Sequence, residues 1–236
     1  MRWIMIVSLL FSMVLALPVE TKSVNVGMVK KVKGTVKRLE AGAIKKTKVT
    51  SGDQLQEGDM VMTYGSASAL LELYDGSNIV LDEGAMIQFA GMEAVEHREG
   101  AIYYDIIQRN SQNSLKITTP FAIIGIKGTT FIVNADEHPN VALKEGVIGI
   151  ESLKEEFELH RKKVLHEFEL YKMKEQAAFE EYKKAQDAHI VEYVKAFELE
   201  AGNSVYFDDE RVDELPMDEV HKKQFEYFEQ LIQAFE

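Results

Sequence analysis

The sequence predicts a mainly β protein: an antiparallel β-sandwich or barrel over residues 24–150, with an inserted amphipathic helical hairpin over 151–200 and a C-terminal helix. Three observations carry this reading. Residues 24–150 hold about ten to twelve short segments in which apolar and polar residues alternate. Turn signals built on Gly and Asp separate those segments, and no helical period intervenes. At Glu151 the pattern changes: through Glu200 there is no Gly and no Pro, and aromatic residues recur every eleven positions among charges.

Taken in order, residues 1–16 (MRWIMIVSLLFSMVLA) read as a secretory signal peptide, with one Arg, an apolar run, and the small residues Val14 and Ala16 at the cleavage position. The run is shorter than the ~20 residues of a spanning helix; an uncleaved anchor is the alternative, and no other segment is predicted to span a membrane. The chain has no cysteine, so neither a disulfide framework nor a lipid-modified Cys is available and the core must supply the stability. A bacterial periplasm is the simplest compartment.

Val24–Lys37 alternates Val26, Met28 and Val32 with polar neighbours and then meets Gly34-Thr35-Val36, which reads as strand, glycine turn, strand. Leu39–Thr50 continues as a polar hairpin around Ala41-Gly42. Turns at Gly52-Asp53 and Gly58-Asp59 flank Leu55, and Met60–Tyr64 is a short strand. In Ser68–Phe89, Ala69, Leu71 and Leu73 share a face, Asp75-Gly76 turns, Ile79 and Leu81 return, and Gly84 leads to Met86–Phe89. Ile102–Ile107 follows Gly100. Thr118–Val133 is the most apolar run: a strand at Ala122–Ile126, a break at Lys127-Gly128, and a second strand at Thr129–Val133, expected to be buried on both faces. Asn140–Ile150 turns at Glu145-Gly146.

Residues 157–200 align in elevens, with Phe157, Phe168, Phe179 and Ile190 at the first position and His160, Tyr171, Tyr182 and Tyr193 at the fourth. An 11-residue period keeps a stripe on one face of a helix. The expected interaction seam is therefore Phe157, Phe168, Tyr171, Phe179, Tyr182 and Tyr193. Ser204–Phe207 is a short β-like run and Asp208–Glu214 an acidic loop. A last amphipathic helix follows Leu215-Pro216, with Phe225, Phe228, Ile232 and Phe235 at helical spacing.

Net charge is −12, which argues against general nucleic-acid binding. The charge is uneven. Nine Lys/Arg lie between Lys22 and Lys48 against Glu40 alone, and ten Asp/Glu against three Lys/Arg lie from Asp208 onward. Either these are solvated faces, or the acidic tail folds back on the basic start, or the basic face meets an anionic surface. The histidines at 97, 138, 160, 166, 189 and 221 lack metal-ligand spacing. No carboxylate pair, Gly-x-Ser nucleophile or phosphate loop stands out. No catalytic residue, metal or cofactor is expected.

The ordered motifs Gly34-Thr35-Val36, Gly52-Asp53, Gly58-Asp59-Met60-Val61-Met62-Thr63, Ala69 to Leu81 with Asp75-Gly76-Ser77, Gly100-Ala101-Ile102-Tyr103-Tyr104, Thr119-Pro120, Gly125-Ile126-Lys127-Gly128-Thr129-Thr130-Phe131 and Glu145-Gly146-Val147 resemble the FecR-like domain, the periplasmic module of regulators of ferric citrate uptake. Lys127 stands where that family has Arg. The likeness covers about residues 26–150, with Ala201–Phe207 similar to the family's closing strand. It implies a jelly-roll-like β-sandwich and a non-enzymatic binding or signalling role. It also implies that Gly125, Lys127, Gly128, Thr129 and Phe131 are family-motif residues, most of them structural. The regulators carry an anti-sigma region and a membrane helix ahead of this domain, whereas here a signal peptide precedes it, and residues 151–200 are an insertion.

An unbroken helix over 153–198 would be on the order of 65 Å long and would keep Ser204–Phe207 from its own sheet. The options are a helical hairpin, which is favoured, a closing strand that joins another subunit, or a false likeness at that strand. The expected function is an exported module that contacts a protein partner in the envelope, or a second copy of itself. The alternative is a sensor or carrier holding a small ligand or glycan in the sandwich.

Overall fold

The structure, a computed structural model, describes residues 24–107, 114–162 and 189–235. Among these are eighteen strands and one helix. In chain order they are β1 (Asn25–Leu39), β2 (Thr47–Lys48), β3 (Gln54–Gln56), β4 (Met60–Leu73), β5 (Asn78–Leu81), β6 (Met86–Gly91), β7 (Ala94–Glu99), β8 (Ala101–Ile106), β9 (Leu115–Thr118) and β10 (Ala122–Ile126). Then come β11 (Thr129–Asn134), β12 (Asn140–Glu145), β13 (Val147–Ser152), β14 (Phe157–Lys162), β15 (His189–Val194), β16 (Ala196–Glu200), β17 (Asn203–Asp208), β18 (Arg211–Pro216) and α1 (Glu219–Phe235).

All the strands belong to one hydrogen-bonded sheet, folded on itself into two walls that nearly close. The first wall runs β2, the C-terminal half of β1, the N-terminal half of β4, β6, β7, β9, β10, β13, β16. The second runs β3, the N-terminal half of β1, the C-terminal half of β4, β5, β8, β11, β12, β17, β18, β14, β15. In place of the expected antiparallel jelly-roll-like sandwich, the strands form one continuous, barrel-like sheet with a shared interior, in which β7–β9 and β14–β18 pair in parallel.

The chain passes from wall to wall at glycine corners. Gly34 and Gly65 bend the long β1/β4 pair, Gly84 and Gly100 carry β5 to β6 and β7 to β8, and Gly128, Gly146 and Gly202 serve β10/β11, β12/β13 and β16/β17. Ala101 of β8 lies opposite Asn134 of β11 and Ile106 opposite Thr129, so the Gly100 and Gly128 corners sit at opposite ends of the strands. Two corners show why glycine is needed. A Cβ on Gly100 (φ 79°) would lie 2.5 Å from the Ala85 Cα, and one on Gly146 (φ 90°) would lie 2.5 Å from Thr129 Cγ2 and 2.7 Å from the Gly128 carbonyl oxygen. Left-handed backbone and backbone-to-backbone approach together exclude a side chain.

Three expectations change here. Gly34 is a bulge inside a 15-residue strand, marked by the register shift between Lys33 and Thr35, rather than a turn. The Lys127-Gly128 break is a crossing between walls rather than an interruption in one strand. Of the two strands it joins, only β11 is buried on both faces, since Ile123 is half-buried and Gly125 exposed in β10.

The predicted helical insertion is corrected at both of its ends. Phe157–Lys162 and His189–Val194 are paired antiparallel strands, and Ala196–Glu200 pairs with β13. The physical reason lies in the period. Phe157 and Leu159 point into the core while Glu158 and His160 point outward, as do Phe197 and Leu199 against Glu198. That two-residue alternation is hidden in the eleven-residue alignment, where Phe157 and Leu159 take positions one and three of the first repeat and Phe197 and Leu199 positions eight and ten of the last. The pairing Phe157↔Val194 also excludes one straight helix over 153–198 and lets β17 rejoin its own sheet. The expectations for residues 1–16, and for 163–188 within the insertion, lie outside the described residues.

The interior is filled by the inward faces of both walls, with Leu71, Ile79, Leu81, Ile87, Phe89, Ile102, Ile124, Phe131, Leu143, Ile150 and Leu199 essentially inaccessible. One polar pair lies among them. His97 is fully buried, with its Nε2–H donating to the Gly100 carbonyl at 3.0 Å and the Tyr104 hydroxyl donating to Nδ1 at 3.2 Å. Burial pushes the imidazole down to about 4, against the opposing pull of its hydrogen bonds to the backbone of Gly100 and Glu99. Tyr104 in turn stacks on Phe131 at 4.9 Å and 8°.

The predicted C-terminal helix forms. Asp218 caps it, accepting from the Val220 and His221 amides at 3.0 Å each. Its apolar stripe, Phe225 and Phe228 with Leu231, Ile232 and Phe235, covers Leu70, Val80, Tyr103, Ile132 and Ala142 on the outer face of the second wall. Phe228 stacks on Tyr103 at 5.6 Å. The acidic tail makes its contacts here rather than over the basic start. Glu229 pairs with Lys144, Glu214 with Arg161 at 2.6 Å, and the Tyr227 hydroxyl donates to Asp82 at 2.9 Å. No described helix is long and apolar enough to cross a membrane.

Candidate functional site

Where β9/β10, β11/β12, β13/β14 and β17/β18 connect, the two walls gape into a cleft of about 840 Å³. Each turn is held locally. At Thr119–Ala122 the threonine Oγ1 accepts from the Ala122 amide at 2.9 Å and the Phe121 amide at 3.3 Å, and it donates to the Ala122 carbonyl. This sets Phe121 in the cleft. At Ala135–Pro139 the Ala135 amide donates to Gly100 and the Gly100 amide to the Asp136 carboxylate at 3.0 Å. The Phe207 amide donates to the Pro139 carbonyl, and the Glu158 amide to the Glu210 carbonyl, tying β14 to the β17/β18 turn. Asp209 makes that turn with φ 52°, a region where Asp is tolerated.

The floor is aromatic. Phe121 and Phe207 are 4.5 Å apart between ring centroids, Phe157 lies 5.9 Å from Phe207, and Phe197 lies 5.9 Å beyond Phe157. Phe157 and Phe207 are buried and Phe121 half-buried. The rim is acidic: Asp136, Glu155, Glu158, Asp208, Asp209 and Glu210 face Lys154 and Arg211. Arg211 is engaged by Asp213, donating from Nε and Nη2 at 2.9 Å each, so its charge is largely answered at the rim. An apolar floor under a ring of carboxylates suits a cationic head on an apolar stem, with the stem on the rings and the head among the acids. No lining residue is His or Cys, and among the described residues no three His, Cys, Asp or Glu side chains are grouped to hold a metal ion.

The sequence-predicted residues fall mostly elsewhere. Gly125 is exposed on the outer face of the first wall, opposite Gly149. Lys127 is exposed at the far corner, and Gly128 makes that corner with φ 109°. Thr129 is buried there, and Phe131 is in the core against Tyr104. Of the seam, Phe157 is a core and floor residue rather than part of an exposed stripe. Tyr193 lies on β15, 67% exposed, its hydroxyl 3.4 Å from Glu158. Phe168, Tyr171, Phe179 and Tyr182 lie outside the described residues. Sequence reasoning missed Phe121, Phe207, Asp136 and the Asp208–Glu210 rim as a group. They come from three separate turns, and the acidic run at 208–210 was the one local signal.

The fold and cleft define a class: a mainly β, barrel-like domain with an acidic, aromatic-floored cleft at one end of its two walls. Residues 59–149, from β4 to β13, match the family model described as FecR protein, and this stretch of the chain is a FecR domain. The match contains the Gly65, Gly84, Gly100, Gly128 and Gly146 corners and is narrower than the 26–150 span of the motif likeness. Among solved structures the chain is similar to two from Parabacteroides distasonis ATCC 8503, each described provisionally as an anti-sigma factor. They are 13% and 12% identical, with TM-scores of 0.45 and 0.44, and each comparison covers 67% of this chain and 60% of the other. The chain thus spans about 60% of the length of these solved chains. No curated protein matches the chain.

Proposed function

We propose that the protein is a non-enzymatic, exported module of envelope signalling that binds a basic segment of a partner protein in the cleft between its walls. The observation that carries this is the cleft itself, with Phe121, Phe157 and Phe207 beneath six carboxylates. The FecR domain supports a regulatory role in the envelope, and the amino-terminal sequence supports export to the periplasm. Tyr193, with Ile190 and Val191 on the outermost strand β15, lies beside Glu158 and extends the contact, which retains part of the expected aromatic seam. The family-motif corner at Lys127–Thr129 serves the fold, leaving recognition to the opposite end of the strands.

The test is binding of labelled Lys/Arg-rich and Asp/Glu-rich peptides to the protein, followed by fluorescence anisotropy. Basic peptides should bind, and Phe121→Ala and Asp209→Lys should each weaken them by about tenfold, in line with loss of one apolar contact or one charge pair. Equal binding of acidic peptides, or no effect of either variant, would refute the assignment. A second reading, a small ligand or glycan in the same cleft, is favoured by a volume in the range of small-molecule sites. It predicts a ligand-dependent rise in melting temperature across a metabolite and glycan panel without peptide binding.

A further inference from the structure

A second surface, at the β1/β2/β4 end of the first wall, has the opposite charge. Lys37 of β1 lies directly across from Lys48 of β2, a like-charge pair that destabilises a sheet unless something answers it. Tyr64 of β4 stands beside them, with the Lys37 Nζ 5.3 Å and the Lys46 Nζ 5.6 Å from its ring centroid, and Lys46 donates to its hydroxyl at 2.9 Å. Lys45 is exposed next to Lys46. The nearby acids are already engaged, since Arg38 holds Glu40 at 2.7 Å and Asp59 at 3.7 Å. Among the described residues, Lys37, Lys45, Lys46 and Lys48 have no ion pair. Between β1 and β2 the loop projects Ile44, which is 100% exposed.

We propose that this face, tipped by Ile44, docks the protein on an anionic lipid surface. A plane of negative headgroups answers the lysines, and the layer beneath it takes an apolar tip; Tyr64 and the lysine stems suit the interface between the two. A nucleic acid or an acidic protein surface would satisfy the lysines and leave Ile44 without a partner. Net charge of −12 on the whole chain makes the orientation selective, because a negative plane attracts the lysine face and repels the acidic remainder of the protein.

The experiment is co-sedimentation of the full chain with phosphatidylcholine vesicles and with mixed phosphatidylcholine–phosphatidylglycerol vesicles at rising salt. Binding should require the anionic lipid and fall with salt. Lys45→Glu with Lys46→Glu should weaken it by more than about tenfold, at roughly fivefold per lysine before charge reversal is counted. Lys45→Arg with Lys46→Arg should preserve it. Ile44→Ser, at a fully exposed position that leaves folding and charge unchanged, should weaken it by about tenfold. Equal binding to both vesicle types, as an apolar amino-terminal segment alone would give, overturns the proposal. So does salt-sensitive binding that Ile44→Ser leaves intact and soluble polyanion abolishes, which would mark a polyanion site instead.

Discussion

Replacing His97 with Phe tests how much a buried imidazole contributes to the response of this fold to acid. In the folded protein the ring is held neutral, at about 4 against an ordinary value of 6.5, because the core cannot solvate its charge. The unfolded chain therefore binds a proton that the folded chain refuses between those two values. Stability from this group is complete above pH 6.5 and is lost as pH falls toward 4. Each pH unit in the window is worth about 1.4 kcal/mol at most, so between pH 7.5 and 4.5 the group removes about 2.5 kcal/mol. At pH 7.5 His97→Phe should itself cost about 1–3 kcal/mol, because the Tyr104 hydroxyl loses its acceptor inside the core. The assay is urea unfolding of both proteins at half-unit intervals from pH 7.5 to 4.5. The two stability curves should converge as pH falls, with the wild type losing about 2.5 kcal/mol more than the variant. Parallel curves would show that His97 either is protonated in the fold or has access to water, and would refute the reasoning.

Three further outcomes follow from the packing. Gly146→Ala should destabilise by about 2 kcal/mol or more, since its Cβ meets Thr129 and the Gly128 backbone at a left-handed φ; an unchanged denaturation midpoint would show the corner to be loose. Phe131→Ala, which removes a fully buried ring stacked on Tyr104, should cost about 3–5 kcal/mol by chemical denaturation, against less than about 1 kcal/mol for the half-buried neighbour in Thr130→Ala. Phe228→Ala should loosen α1 from the second wall, raising hydrogen exchange across Glu219–Phe235 while protection of the inner strands is retained, because the helix packs on a face separate from the main core.

Alternation and turn chemistry are local, and to that extent the sequence by itself determined much of this protein. The strands around Leu71, Ile79, Ile102, Phe131 and Val141, the glycines between them, and the amphipathic helix with its Phe225/Phe228 stripe are all legible in one dimension. The order of those motifs also identified the FecR domain. What the sequence left open is where each glycine sends the chain. A left-handed glycine looks alike whether it reverses a strand within one wall, as Gly76 does, or carries it across to the other, as Gly128 and Gly146 do. That difference depends on which strands lie alongside, and those are far away in sequence.

The stretch FELHRK carries both an eleven-residue aromatic repeat and a two-residue alternation. Only the presence of β18 and β15 on either side of it decides for strand. The cleft is the extreme case. Phe121, Asp136, Phe157, Phe207 and Asp209 meet because four turns converge at one end of a folded sheet, and apart from the acidic run at 208–210 no single turn has a signature of its own. Local backbone preference wrote the elements into the sequence, while long-range pairing of the walls decided which of their ends became a binding site.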